Sequence, residues 1–211
     1  MEHDPQQQER HKELEQHEVK EALKFLKRYG TLIGAGITAA AVIVLITHSC
    51  SMRSVARQLQ AEQMLQAAQT PEQMAEVAEK YKSLPIGETA LLDLAKTLYN
   101  NGDYAGARAR YNKFLNRYKK SEQHAVAELG LVYCTEADGD FAAAAEEFNA
   151  FAVKYANHNL YPVAVLSIAR NYEQAGNIDE ARIVLEDFLT DNPRSVWIRS
   201  AEDALTILNK K

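Results

Sequence analysis

The spacing of apolar positions changes twice along this chain. Residues 1–17 are polar and mix both signs of charge, with Gln6, Gln7 and Gln8 in a row. That composition predicts a disordered or fraying tail. From Val19 apolar residues recur at helical spacing (Val19, Leu23, Leu26, with Phe25 beside them), which predicts a short amphipathic helix. Residues 31–47, TLIGAGITAAAVIVLIT, then carry no charge, and the uncharged run spans 29–52 apart from His48. At about 1.5 Å of rise per residue a helix of this length crosses a hydrocarbon core of ~30 Å. From residue 53 onward helical periodicity holds to the end, without strand-like alternation.

The second half is self-similar at a period of 37. Gly102, Gly139 and Gly176 share one register, followed by Asp103, Asp140 and Asn177. Ala107, Ala144 and Ala181 keep it, as do Tyr111, Phe148, Leu185 and Phe114, Phe151, Phe188. Upstream the period links Ala90, Ala127, Ala164 and Ala201, and also Leu94, Leu131, Ile168 and Leu205. Tyr81, Tyr118 and Tyr155 form a further register that breaks at Asn192. A helix, a glycine turn and a second helix repeated in this way predict a solenoid unit. The glycine supplies a left-handed residue after the first helix, and the Asp or Asn caps the second. The alanines mark where helices touch, and the aromatics fill the space between units.

The predicted helix pairs are 53–68/71–83, 86–100/104–119, 122–137/141–156 and 160–175/178–191. A last helix at 194–209 carries Trp197, Ala201, Leu205 and Leu208 inward as a cap. Thr70-Pro71-Glu72-Gln73 is a start signal, with Thr as N-cap, Pro at the first helical position and Gln three residues on. The fold class is therefore all-α: one transmembrane helix, then a solenoid of stacked helix pairs with a C-terminal capping helix. Its parts are a charged tail with a short amphipathic helix (1–28), the membrane span (29–52) and the repeat domain (53–211).

Charge refines the picture. A cleavable signal would carry a short basic leader, whereas the 28 residues before this run include seven acids. Thr47, His48 and Ser49 make a poor lipoprotein signal ahead of Cys50. Lys20, Lys24, Lys27 and Arg28 precede the span, and Arg53 and Arg57 follow it, which places the N-terminus in the cytoplasm. Gly30 and Gly34 form a G-x-x-x-G, a candidate contact for helix association. The net charge of −5 gives no support to generic nucleic-acid binding, and two cysteines make no disulfide framework. Residues 104–121 hold six basic side chains and no acid, whereas 122–191 hold 13 acids against Lys154, Arg170 and Arg182. Arg110, Lys113 and Arg117, spaced on one helix face, are candidates for an anionic surface.

Catalytic chemistry is not legible. His124 and His158 fall near turns without ligand spacing, and no phosphate loop occurs. Glu146-Glu147 and Asp179-Glu180 are read as acids at helix N-termini. Cys134 is read as a small core filler. No enzyme activity, metal or cofactor is expected.

The repeat residues resemble the tetratricopeptide repeat. The last unit fits best, with Ile168, Ala169, Tyr172, Ala181, Leu185 and Pro193. The middle unit departs from it at Thr135 and Ala156. The 37-residue period resembles the variant repeats of bacterial envelope proteins such as BamD and CpoB. The layout from about Val19, including VKEALKFLKRYG before the Gly-rich span, resembles the YfgM family of ancillary subunits of the SecYEG translocon. That resemblance implies a single-pass protein of the bacterial inner membrane with a periplasmic repeat domain. The implied partners are the translocon and periplasmic chaperones.

The expected function is a membrane-anchored scaffold that binds other proteins at the cell envelope and assists export or assembly. Repeat register places Lys96, Tyr99, Tyr133, Arg170 and Asn171 in a candidate protein-binding groove lined by the first helix of each pair. The alternatives are a self-associating membrane protein, forming a homo-oligomer through Gly30 and Gly34, and an adaptor whose repeats face the cytosol.

Overall fold

The computed structural model describes the backbone of residues 5–210. The side chains of residues 5–19, 21, 22, 25, 26, 33, 34, 37 and 50 fall outside that description. All regular structure among the described residues is helical: α1 (Pro5–Ala67), α2 (Pro71–Lys80), α3 (Pro85–Asn100), α4 (Tyr104–Arg117), α5 (His124–Ala137), α6 (Phe141–Lys154), α7 (Tyr161–Gln174), α8 (Ile178–Asp191) and α9 (Ile198–Leu208). The chain divides into two compact units, Met1–Arg57 and Gln58–Lys211.

The first unit is the larger part of α1. The tail, for which composition predicts disorder, is helical from Pro5. Gln, Glu, Lys and Arg are good helix formers, and neither Pro nor Gly interrupts residues 6–29. A stretch of α1, Thr38–Ala67, is long and apolar enough by length and composition to cross a membrane. Val42, Ile43, Val44, Leu45 and Ile46 are all more than half exposed. Consecutive helical residues point about 100° apart, so residues 42–46 make α1 apolar and uncovered all round at that level.

The second unit stacks helix pairs. Near the end of α1, Ala61 shares a core with Val77 and Ala78 of α2; α3 pairs with α4, α5 with α6 and α7 with α8, and α9 closes the stack. Local chemistry explains the boundaries. Thr70 caps α2 through a capping box with Gln73, and Pro71 starts the helix. Gly102, Gly139 and Gly176 follow α3, α5 and α7 at φ of 82°, 85° and 85°, the left-handed region that side chains with a Cβ avoid. The Asp103 and Asp140 carboxylates then accept from Gly106 N–H at 2.9 Å and Ala143 N–H at 3.2 Å. Asn177 occupies the same N-cap without a side-chain bond.

Between pairs the chain makes the same double turn each time. Leu84 and Gly87 N–H donate three residues back, as do Ser121 and His124, His158 and Tyr161, and Ser195 and Ile198. This turn consumes residues that periodicity alone assigns to helix, which is why α9 begins at Ile198 rather than at 194. Ala90, Ala127, Ala164 and Ala201 are fully buried, as are Ala107, Ala144 and Ala181. Any larger side chain at these seven positions would force neighbouring helices apart. Two cores result. One joins Ala61, Tyr81, Leu91 and Phe114 to Ala127 and Cys134, and the other joins Leu129 and Val132 to Phe148, Phe188 and Leu208. Helix α5 feeds both and is the seam of the solenoid.

Candidate functional site

The first helices α3, α5 and α7 carry a connected row of polar and aromatic side chains. Exposed Lys96 forms a 3.4 Å ion pair with Asp93 on its own helix. The Tyr99 ring lies 5.2 Å from Tyr104 and 6.4 Å from Tyr133. Tyr133 packs edge-on to Phe148 at 5.1 Å, and its hydroxyl meets Ser167 Oγ at 3.3 Å. Arg170 donates to both oxygens of Glu136, at 2.7 and 2.8 Å, bridging α7 to α5. This paired geometry raises the Arg170 pKa and keeps the guanidinium charged. Burial raises the Tyr99 pKa, so its hydroxyl stays a neutral donor.

Lys96, Tyr133 and Arg170 share one repeat register, and Ile207 of α9 continues it. Ile207 is 55% exposed and lips a cavity of about 260 Å³ with Leu166, Arg170, Glu173 and Ala204. The period of 37 points to Ile207 as directly as to the others, but its place in the cap hid it.

Asn171 does not belong to this row. It is completely buried, and its Nδ2 donates to Ser167 O at 2.8 Å. Its register is that of Thr97 and buried Cys134, which turns into the stack. The basic trio is also rearranged. Lys113 Nζ lies 2.5 Å and Arg117 Nη1 3.1 Å from Glu79 Oε1 on α2, so both cations close the gap between α2 and α4. Arg110 Nε is buried and finds no partner among the described residues. Hydrogen bonding to Lys113 and then Arg117 lowers the Glu79 pKa to about 2. Gly30 lies within α1, and the surroundings of Gly34 fall outside the described residues.

The carboxylate pairs take two different roles. Asp179 and Glu180 stand in the first turn of α8, as expected. Glu146 and Glu147 instead lie a turn further into α6, where they reach other helices. Glu147 Oε2 accepts from Thr135 Oγ1 at 2.9 Å, and Glu146 Oε1 accepts from Tyr172 OH at 3.3 Å. Thr135 also accepts from Arg108 at 3.3 Å, so the small residue there admits a polar link between α4, α5 and α6. His124 pairs with Glu128 at 3.3 Å, and His158 Nδ1 accepts from Leu160 N–H at 3.1 Å. Burial raises the Cys134 pKa, which keeps the thiol protonated. No group of three His, Cys, Asp or Glu side chains suited to a metal gathers among the described residues.

Two models of the tetratricopeptide repeat match the chain, one over residues 92–159 and one over 164–195. Among solved structures, the nearly identical TPR-like repeats of Podosopora anserina assigned to a kinesin light chain superpose with a TM-score of 0.55 at 17% identity. The match covers 76% of this chain and 84% of that one. A variant of the same repeats gives the same TM-score, identity and coverage. At this identity the likeness speaks to the fold alone. No curated protein matches the chain.

Proposed function

We propose that this chain, whose residues 92–159 and 164–195 match models of the tetratricopeptide repeat, is a non-catalytic scaffold that holds partner proteins beside a membrane. The observation that carries the reading is the linked row Tyr99–Tyr133–Ser167–Arg170 on successive first helices, with exposed Lys96 beside it. Aromatic and Arg side chains are the types that anchor protein interfaces, and this row presents them on rigid elements. The apolar, uncovered stretch of α1 supports anchoring, because lipid is the medium that suits a helix apolar on every side. The flanking cations favour a cytoplasmic tail and an extracytoplasmic repeat domain. By resemblance to the YfgM family, the partners are the SecYEG translocon and periplasmic chaperones, and the role is assistance to export or envelope assembly.

The test is site-specific photocrosslinking in membranes, with a benzophenone side chain at position 99 or 133. Discrete adducts to other proteins that survive Gly34→Leu are the expected result. Adducts confined to a second copy and lost on Gly34→Leu would establish the self-associating alternative instead. A phosphatase fused after Lys211 should be active outside the cytoplasm, and an inactive fusion would place the repeats in the cytosol.

A further inference from the structure

Second helices of successive pairs face each other across an outer groove, and the repeat register permits the three grooves to be aligned residue by residue. In the α2–α4 groove the positions are Glu79, Lys113 and Arg117, joined as ion pairs. In the α4–α6 groove they are Asn116, Ala150 and Lys154, and Lys154 reaches Glu128 at 2.6 Å. In the α6–α8 groove they are Val153, Asp187 and Asp191. Here the charge is inverted and the bridge is missing. Asp187 and Asp191 form no ion pair among the described residues, and Val153 is 75% exposed. Between them lies a cavity of about 310 Å³, whose floor includes Val165, Ile168 and Phe188.

A second observation bears on the same place. Arg117 and Lys154 end α4 and α6 with a cation in the last turn, whereas α8 has none and ends on Asp191. A carboxylate at a helix C-terminus opposes the helix dipole, and two carboxylates four residues apart repel each other. An external cation would relieve both.

We propose that the α6–α8 groove docks a segment of a partner protein that carries two Lys or Arg side chains one turn apart beside an aliphatic residue. The aliphatic group enters the cavity against Val153 and Val165, and the cations reach Asp187 and Asp191. The α2–α4 groove shows the same kind of pairing with the signs exchanged, since there Lys113 and Arg117, one turn apart, close on Glu79. The groove lies between second helices and the Tyr99–Tyr133 row on first helices, so binding at one is separable from binding at the other.

The experiment uses the full chain in nanodiscs of zwitterionic lipid with a benzophenone side chain at position 153. The probe is a synthetic amphipathic peptide of about 14 residues with leucines at helical spacing and lysines one turn apart. Crosslinking at 153 should fall roughly tenfold for Asp187→Lys/Asp191→Lys, and also for the peptide with glutamates in place of lysines. That variant improves the α8 C-terminus, so its melting midpoint should not drop, which separates lost binding from lost folding. A benzophenone at position 116, in the α4–α6 groove where Ala150 and Lys154 replace the two carboxylates, should give little adduct. The proposal is overturned if the glutamate peptide crosslinks equally, if charge reversal changes nothing, or if the main product at 153 is a second copy of the chain. Heterologous adducts at 99 or 133 would persist in each of those cases.

Discussion

The α2–α4 and α6–α8 grooves are built on the same frame and finished in opposite ways. Phe114 and Phe188 share a register and are both buried, as are the alanines beneath them. Above that floor one groove carries a carboxylate clamped by two cations, and the other a bare valine facing two carboxylates. The difference teaches that the repeat separates two jobs. The buried column of Ala and Phe holds the units together, and the rim is left to be bridged or kept open. Rim ion pairs at partly exposed positions contribute little energy, so changing them costs the fold little.

The largest effect should come from the shared floor. Phe114→Ala and Phe188→Ala should each cost about 3–5 kcal/mol in urea unfolding. Similar costs would support a common floor, and a much smaller cost at Phe188 would break the comparison. The next largest separates the two ends by pH. Burial pushes the Tyr111 pKa up to about 12, while its register mates Phe148 and Leu185 cannot titrate. The neutral phenol is favoured in the folded state, so its contribution is intact below pH 10 and is lost as pH rises toward 12. The loss should reach about 2 kcal/mol, and Tyr111→Phe should remove this alkaline sensitivity.

Gly130→Ala comes next. A Cβ there would collide with the buried Tyr111 ring, whereas the same register holds Asp93 and Ser167. We expect about 1–3 kcal/mol of destabilisation from overpacking, measured by thermal unfolding. The smallest effect belongs to the rim. Glu79→Gln should cost no more than about 1 kcal/mol at neutral pH, because the carboxylate is half exposed. Its lowered pKa makes the contribution present above the usual 4.5 and lost as pH falls toward 2, so wild type and variant should converge in acid. Asp191→Asn should be neutral or slightly stabilising at neutral pH.

Sequence reading recovers the floor better than the rim. A residue that must be small, left-handed or aromatic recurs at 37-residue intervals, so Gly102, Ala107 and Phe114 are legible with their register mates. The caps Asp103 and Asp140 follow from the glycine before them. What was missed depends on rotation about a helix axis by a single position. Asn171 stands next to Arg170 in sequence yet faces the stack. Lys113 and Arg117 share a face, as their spacing predicts, but that face meets Glu79, thirty-odd residues away. Glu146 and Glu147 stand one turn too far into α6 to serve its N-terminus. The double turns between pairs are set by backbone hydrogen bonds that persist where Tyr gives way to Asn192, so no side-chain pattern announces them.

The claim that the rim is free to be bridged or left open can be tested by transplanting one groove onto the other. Val153→Glu, Asp187→Lys and Asp191→Arg together rebuild the α2–α4 bridge between α6 and α8. The unfolding free energy of this triple variant should rise by about 1 kcal/mol, from one ion-pair network and a corrected helix C-terminus. A fall of more than about 1 kcal/mol would contradict it, because the rim would then be part of what holds the units together.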